Sequence, residues 1–486
     1  MKKLLSILTL SLFVFTSCND VIDIEQPGTL LAENAFKTVE DLQLGVSGIY
    51  NRLDNTTQIR FNSVYTDELA IGDDSGGQNV TQYSLFLTPT SGMAATLWNG
   101  SYITLNQINK ILVAAESIPV ATGEQADYNN AIAELKAIRA YIHFMLTTYF
   151  TTDYTDDSAL GVIALSTIPG LNEDLPRNTN GEVFAMIDAD LTAAAAGLSN
   201  QSSRTFISRD FITALRARMA AYRGQYTAAD GYAATLMANY SIANQTQFFN
   251  MWSDTDDTEI IFELERNVGD TYDRQATGGG GWAGSLFAFV NSTASGSPFM
   301  EMSRSLYNQL DAVAGDVRLA RYIDPSSTIS ATPTTSTDDY LVTRKYPGHQ
   351  SQPLMNDIKL FRTAEMLFIR AEAAADANNL GGAATYIKQL RDARFGAAQP
   401  LPTYASQQEA FAAILAERRL ELAFEGHRWV DIKRLGARAN VSIDRDPIDC
   451  TVFNACSLSN SDHRFTMPIP LGAIDVDAAL VQNPGY

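Results

Sequence analysis

Apolar side chains recur every three or four positions along most of the chain, the spacing that lines one face of an α-helix. Leu42, Val46, Ile49 and Leu53 form one stripe, and Trp98, Tyr102, Leu105, Ile108 and Leu112 form a second. Ile132, Leu135, Ile138, Ile142, Leu146 and Tyr149 make a third. The same pattern predicts helices near 181–198, 208–223, 227–239, 361–377, 382–395 and 406–426. Asn34, Ser208 and Ser406 stand where N-caps belong, and Ser406 precedes Glu409 in capping-box spacing. Short strands are expected at 259–264 and 340–345. The fold class is mainly α.

Two of these helix pairs share a finer pattern. Ala217, Gly224, Tyr226, Ala229 and Leu236 are spaced like Ala371, Asn378, Leu380, Ala383 and Leu390. Small residues let antiparallel helices approach closely, and Gly or Asn suits the turn between them. The spacing resembles tetratricopeptide repeats whose period of about 34 residues is broken by long insertions. Those insertions are polar and irregular. The stretch 67–90 contains Asp73-Asp74-Ser75-Gly76-Gly77, 151–177 carries Asp153, Asp156 and Asp157, and 325–337 is rich in Ser and Thr. A further one, 267–299, holds Gly278-Gly279-Gly280-Gly281-Trp282. Loops this long on a helical scaffold are more often functional than idle.

One segment breaks the simple picture. The run 417–435, ERRLELAFEGHRWVDIKRL, mixes Glu417, Arg418, Arg419, Glu421, Glu425, Arg428, Asp431, Lys433 and Arg434 with Leu420, Leu422, Phe424, Trp429, Val430 and Ile432. A solvated face needs fewer bulky apolar neighbours, and a plain core tolerates fewer charges. On a helix, Arg418–Glu421, Glu425–Arg428, Arg428–Asp431 and Asp431–Arg434 are each three apart, so opposite charges meet on adjacent turns. The expectation is a partly buried ion network where two helices meet. Catalysis is the poorer reading, since the charges pair with one another and no nucleophile stands near.

Composition narrows the function. The 486 residues carry 35 Lys and Arg against 55 Asp and Glu, a formal charge of −20. That balance, with no basic run, excludes sequence-independent binding to nucleic acid or to an anionic membrane surface. Four histidines and three cysteines leave little for a transition-metal site, and no cofactor or metal is expected. At the N-terminus, Lys2 and Lys3 precede an apolar stretch, 4–15, too short to span a bilayer. Phe15-Thr16-Ser17-Cys18 resembles a bacterial lipoprotein signal, in which residues 1–17 are removed and Cys18 carries lipid. An ordinary secretory signal with a chance cysteine is the alternative. Asp20, Asp23 and Glu25 follow, and early acidic residues resemble a signal for display on the outer face of the outer membrane. Cys450 and Cys456 are separated by five residues in a polar stretch. A local disulfide suits an exported chain, and two unpaired thiols are the other possibility.

Taken together, the motifs resemble the SusD/RagB family of Bacteroidetes outer-membrane lipoproteins over nearly the whole chain. The run 417–436 is close to the family's ER-x-x-EL-x-FEG-x-RW-x-D-x-x-R pattern. Arg362-Thr363-Ala364-Glu365 with Arg370-Ala371-Glu372-Ala373 resembles its R-x-AE…AEA helix, followed by Arg391 and Arg394. Phe465-Thr466-Met467-Pro468-Ile469-Pro470 and Gln482-Asn483-Pro484-Gly485-Tyr486 resemble its C-terminal F-x-PIP…QNPGY. Ala35-Phe36-Lys37-Thr38, Gly48-Ile49-Tyr50, Trp98…Tyr102…Asn109 and Arg139-Ala140-Tyr141 fit as well. The resemblance implies tetratricopeptide-like helix pairs carrying a loop-rich half, divided here as 18–258 and 259–486. It also implies a lid on a SusC-like TonB-dependent transporter that captures a nutrient, most often a glycan and sometimes a peptide, without catalysis.

Glycan capture needs flat aromatic faces for sugar C–H surfaces, flanked by polar groups for hydroxyls. The Gly-rich loop offers Trp282, Tyr272 and Arg274, and the earlier loop offers Tyr83, Asn79 and Gln82, beside Asp73, Asp74 and Gln78. These are the expected ligand contacts, Trp282 first, then Tyr272 and Tyr83. Trp98 sits on a helical stripe and reads as core. Asp153, Asp156 and Asp157 lack the ordered alternation of a calcium loop and read as solvated acids. Hydrolysis would need two carboxylates across a cleft, and no Ser-His-Asp or Cys-His motif supports acyl transfer. The competing class is a helical-repeat scaffold that binds only protein.

Overall fold

The computed structural model describes residues 36–72, 74–170, 173–199, 203–267, 282–287, 298 and 300–486. Cys18, Asn34, Asp73, Tyr272, Arg274 and the glycines 278–281 lie outside that set. The first apolar stripe becomes α1 (Val39–Tyr50), α2 (Thr56–Tyr65) forms next where no helix is expected, and the later stripes become α3 (Gly92–Ala115), α4 (Gln125–Phe150) and α5 (Asn180–Gly197). Then come α6 (Arg209–Tyr222), α7 (Tyr226–Met237), α8 (Gln245–Met251), α9 (Arg304–Asp311) and α10 (Val317–Tyr322). The last long ones are α11 (Thr363–Asp376), α12 (Leu380–Phe395), α13 (Gln407–Glu421) and α14 (Arg428–Ala439). About 52% of the residues are helical. No helix among the described residues is long and apolar enough to cross a membrane.

Capping explains the boundaries. α1 starts later than Asn34 would place it, because Thr38 and Asp41 form a reciprocal capping box at its N-terminus. Ser208 caps α6 and Ser406 caps α13, as their spacing predicts. The Glu409 carboxylate accepts from the Ala405 N–H at 2.7 Å instead of closing a box on Ser406.

α4 lies against α1, α3 and α5, while the pair α6–α7 stacks on α11, the first helix of the pair α11–α12. The shared spacing has a direct reading. Ala217, Ala229, Ala371 and Ala383 are all fully buried between close helices. Gly224 and Asn378, equivalent in the two patterns, both take left-handed backbone, φ +69° and +57°.

Strands are few and short. β1 (Leu69–Ile71) pairs with β3 (Met300–Met302), and β2 (Ile260–Leu264) with β6 (Ile358–Arg362), all antiparallel. Two small hairpins are β4 (Gly348–His349) with β5 (Gln352–Pro353), and β7 (Ile443–Asp444) with β8 (Ser457–Leu458). The strand expected at 340–345 does not form. The Leu341 N–H is taken by the Glu301 carboxylate and the Val342 N–H by the Ser327 hydroxyl, so isolated bridges from Tyr340 and Thr343 replace a ladder.

The charged run is buried, but not paired as a continuous helix would pair it. α13 ends at Glu421, and Phe424 (φ +66°) and Gly426 (φ +87°) turn the chain before α14 starts at Arg428. Of the four spacings, Asp431–Arg434 alone appears as an ion pair, at 3.0 Å. Glu421 instead accepts from Arg362 (2.7 Å) and Arg394 (2.8 Å) and faces Arg318 at 3.5 Å. Glu259 shares Arg362 and Arg394, and Glu425 takes Arg362 and Lys345. Arg318 bonds Glu417, Arg418 bonds Asp431, and Arg434 reaches Glu372 on α11. Arg428 forks onto Asp67 with both contacts at 2.8 Å. The turn also delivers Trp429 into the core, stacked on Tyr149 and edge-on to Phe61.

Where no sheet exists, single arginines collect stray carbonyls. Buried Arg445 donates to the carbonyls of Val64, Thr66, Tyr83 and Ala455. Arg177 does the same for Phe150, Leu160, Gly161 and Val481. Neither has a carboxylate within ion-pair distance among the described residues, and burial pulls the pKa of Arg177 down to about 10. Beside Arg445, Cys450 and Cys456 form a disulfide with Cα atoms 4.9 Å apart.

Adjacent carboxylates under the charged turn are driven apart. Burial raises Asp67, but Arg419 and Arg428 outweigh it and hold the group at about 2. Glu68 has only the Ser63 hydroxyl (2.8 Å) and the Phe424 N–H (3.2 Å), and burial pushes it up to about 7.

Glu421→Gln keeps the shape and removes the charge that the surrounding arginines share. It is expected to cost about 3–5 kcal/mol in denaturant titration. Asp257→Asn, at the exposed pair with Arg204, should cost under about 1 kcal/mol. Glu68 titrates in the folded protein above its ordinary 4.5, so its contribution to stability is complete below that value and is lost as pH rises through about 7. Glu68→Gln should therefore flatten the fall in melting temperature between about pH 5 and pH 8, recovering roughly 2–4 kcal/mol at the upper end.

Candidate functional site

A cleft of about 250 Å³ opens where the end of α1, the segment before α6, the end of β2 and the turn at Trp282 meet. Three aromatic side chains line it: Tyr50, Phe206 and Trp282. Each is held by a different device. Tyr50 is fixed at its hydroxyl, which donates to Glu134 at 2.6 Å and accepts from the Ile207 N–H at 2.7 Å. Phe206 meets the Tyr50 ring edge-on, centroids 5.4 Å apart, and is 55% exposed. That exposure is unusual for a large aromatic ring and leaves a face available.

Trp282 begins a short 3₁₀ turn, 283–286, that packs on α2. Its ring rests against Leu354, and its indole N–H finds no acceptor among the described residues. The hairpin β4–β5 clasps this turn. The Gly284 N–H donates to the Leu354 carbonyl at 3.2 Å, and a Cβ on Gly284 would lie 2.7 Å from Leu354 Cα, Leu354 O and Tyr346 O. Only glycine fits there.

The polar rim comes from Asn51, Thr205, Glu265, Arg266 and Asn267. Arg266 follows β2 and is pinned twice. Its N–H donates to Asp357 at 2.7 Å, and its guanidinium reaches Asp54 at 3.3 Å. Asp357 belongs to a group with Asp254 and His349 whose ligand-type atoms lie within 4.8 Å of one another. The Lys359 ammonium already sits on Asp254, and the Asn356 side chain and Asp357 N–H take that carboxylate's other oxygen. The Asp254 carboxylate is thus satisfied by an internal ion pair, while the buried His349 Nε2 finds no hydrogen-bond partner among the described residues.

Of the expected contacts among the described residues, Trp282 alone lines this cleft. Tyr83 is corrected: it is fully buried, donates to the Asp449 carbonyl at 3.1 Å and lies under the Arg445 guanidinium, 3.9 Å from its ring centre. It presents no face to a ligand. Asn79 and Gln82 are half-buried around the single helical turn 80–83, where Asn79 takes left-handed backbone (φ 62°), and neither borders the cleft. Tyr272 and Arg274 lie outside the described residues. Trp98 is core, tilted against Tyr102 and edge-on to Phe150. Tyr50, Phe206 and Arg266 escaped the sequence reading. Tyr50 falls at the end of a helical stripe, and Phe206 is a lone aromatic among Ser, Arg and Thr, which is the signal that could have found it.

Comparison with known proteins agrees with this architecture. The SusD family model matches residues 312–486, and a second model, described as starch-binding associating with outer membrane, matches 22–222. The chain belongs to the SusD/RagB family. It is 24% identical to SusD-like protein P38 of Formosa agariphila, over 90% of this chain and 91% of that one. It is 26% identical to SusD-like protein P2 of the same organism, over the full length of both. Among solved structures, a SusD superfamily protein from Bacteroides thetaiotaomicron superposes with a TM-score of 0.76 at 22% identity, covering 92% of this chain and 100% of that one. A putative sugar binding protein from Bacteroides vulgatus gives 0.74 at 21%, covering 93% and 99%.

Gly284→Ala forces the Trp282 turn off the hairpin. A loss of roughly 1–3 kcal/mol is expected in denaturant titration. An unchanged midpoint would show that the hairpin yields.

Proposed function

We propose that this chain is a sugar-binding lipoprotein of the outer membrane, held by lipid on Cys18 and facing the cell exterior. It captures a glycan in the Tyr50–Phe206–Trp282 cleft and passes it to a SusC-like TonB-dependent transporter. The observation that carries the reading is the convergence of three aromatic rings from separate elements on one cleft with a mixed polar rim. An exposed aromatic face gains free energy by covering the C–H surface of a sugar, while Asn51, Glu265 and Asn267 suit its hydroxyls. Family membership and the outer-membrane association in the matching model's description support the location and the partner. The removal of the leader and the acidic residues after Cys18 rest on the sequence pattern.

Among the described residues that line the cleft, no nucleophile is paired with a base, which favours capture over catalysis. Isothermal titration against a panel of oligosaccharides and peptides tests the reading. A glycan ligand is expected whose affinity falls about 30-fold, or about 2 kcal/mol, in Trp282→Ala, with a comparable loss in Phe206→Ala. Binding that survives both substitutions would move the site elsewhere, and a peptide ligand would change the nutrient. Co-purification with an outer-membrane barrel tests the partner.

A further inference from the structure

A second cleft, of about 260 Å³, lies across the turn that follows α1. Asn51 and Leu53 line both clefts, so the two share a wall. That wall is braced by the Arg266–Asp54 pair: Arg266 belongs to the first cleft and Asp54 to the second, with Nη2 3.3 Å from Oδ1. The pair ties the end of β2 to the turn after α1 and so fixes the spacing of the clefts.

The second cleft has its own character. Leu97, Ile142 and Met145 give it an apolar floor, and Ser101, Thr96 and Asn51 give it small polar groups at the edge. Charge cancels on both sides. The first cleft carries Glu265 and Arg266, and the second carries Arg52 and Asp54. A sulfated or uronic acid chain would need cations in excess to replace its water, and the described residues of neither cleft supply them.

Resting on the proposed glycan capture, we infer that the second cleft is a further sugar subsite, and that the ligand is an uncharged oligosaccharide long enough to cross the Asn51–Leu53 turn. One end lies on the aromatic rings and the other enters between α3 and α4. The joined sites act as a linked pair, so affinity grows when a chain first reaches both.

The full-length mature protein should be titrated with two sets of oligosaccharides of increasing length. One is neutral (malto-, laminari-, xylo- and manno-oligosaccharides), and the other anionic (oligogalacturonates, oligoalginates and sulfated galactans). A neutral series is expected to bind, with a rise of at least roughly tenfold in affinity at the length that spans both clefts and little change between low and high salt. Gly100 borders the second cleft, and a Cβ there meets nothing within 4 Å, so Gly100→Trp introduces a bulky side chain at its border with no clash at Cβ. That variant should bring the affinity for the long chain down to that of the short one. Salt-dependent binding of an anionic series that Trp282→Ala abolishes would overturn the neutral, two-cleft ligand while keeping the aromatic cleft as the site. A long-chain affinity untouched by Gly100→Trp would overturn the second subsite. If no glycan binds, or if Trp282→Ala leaves binding unchanged, the underlying capture reading fails with it.

Discussion

The structure depends on one group of buried charges. Glu421 and Glu259 share Arg362 and Arg394, and Glu425 adds Lys345. A carboxylate or guanidinium at this depth is tolerable only when its partner is present, because a stranded charge is far more costly than a lost contact. The partners come from the residue before β2, from β6, α12, α13 with the turn that follows it, and from the segment before β4, most of them remote in sequence. Folding must therefore bring all of them together or bury none. The network fixes which packing is allowed more than it adds to stability.

The candidate cleft is downstream of that constraint. β2 starts next to Glu259 in the network and ends at Leu264, immediately before the rim residues Glu265 and Arg266. Lys345 is anchored on Glu425, and its neighbour Tyr346 donates to the Phe424 carbonyl at 2.9 Å. The hairpin that clasps Gly284 begins two residues later. The β2 rim and the support of the Trp282 turn thus run out of the ion network, while Tyr50 and Phe206 are placed by α1 and the segment before α6.

Sequence periodicity located the helices well, since each buried stripe is a local property of its own segment. The repeat spacing even anticipated left-handed turns at Gly224 and Asn378. The charged run was harder. Its identity as a buried network was legible from its composition, but its partners were not: the break at Phe424–Gly426 separates Glu425 from Arg428, while Arg418–Glu421 and Arg428–Asp431 give way to partners on other elements, such as Asp67 far upstream of Arg428. The site was half visible. Trp282 stands out beside a glycine run, whereas Tyr83 looked alike in a polar loop and proved to be core because Arg445, distant in sequence, covers it. The strand at 340–345 was lost to side-chain acceptors that no local pattern reveals.

Arg445 and Arg177 bear on how such a fold can vary. Each satisfies four backbone carbonyls from helix ends and irregular segments, the latter a task that elsewhere falls to a neighbouring strand. A strand imposes register, length and alternation on the segment it pairs with. A guanidinium asks only that a few oxygens arrive within reach, whatever residues carry them. The segments it gathers are thus released from the grammar of the sheet, and can lengthen, shorten or change side chains around a constant point of attachment. In a protein whose proposed ligand cleft is edged by loops, that freedom offers a route to a new specificity without a new scaffold.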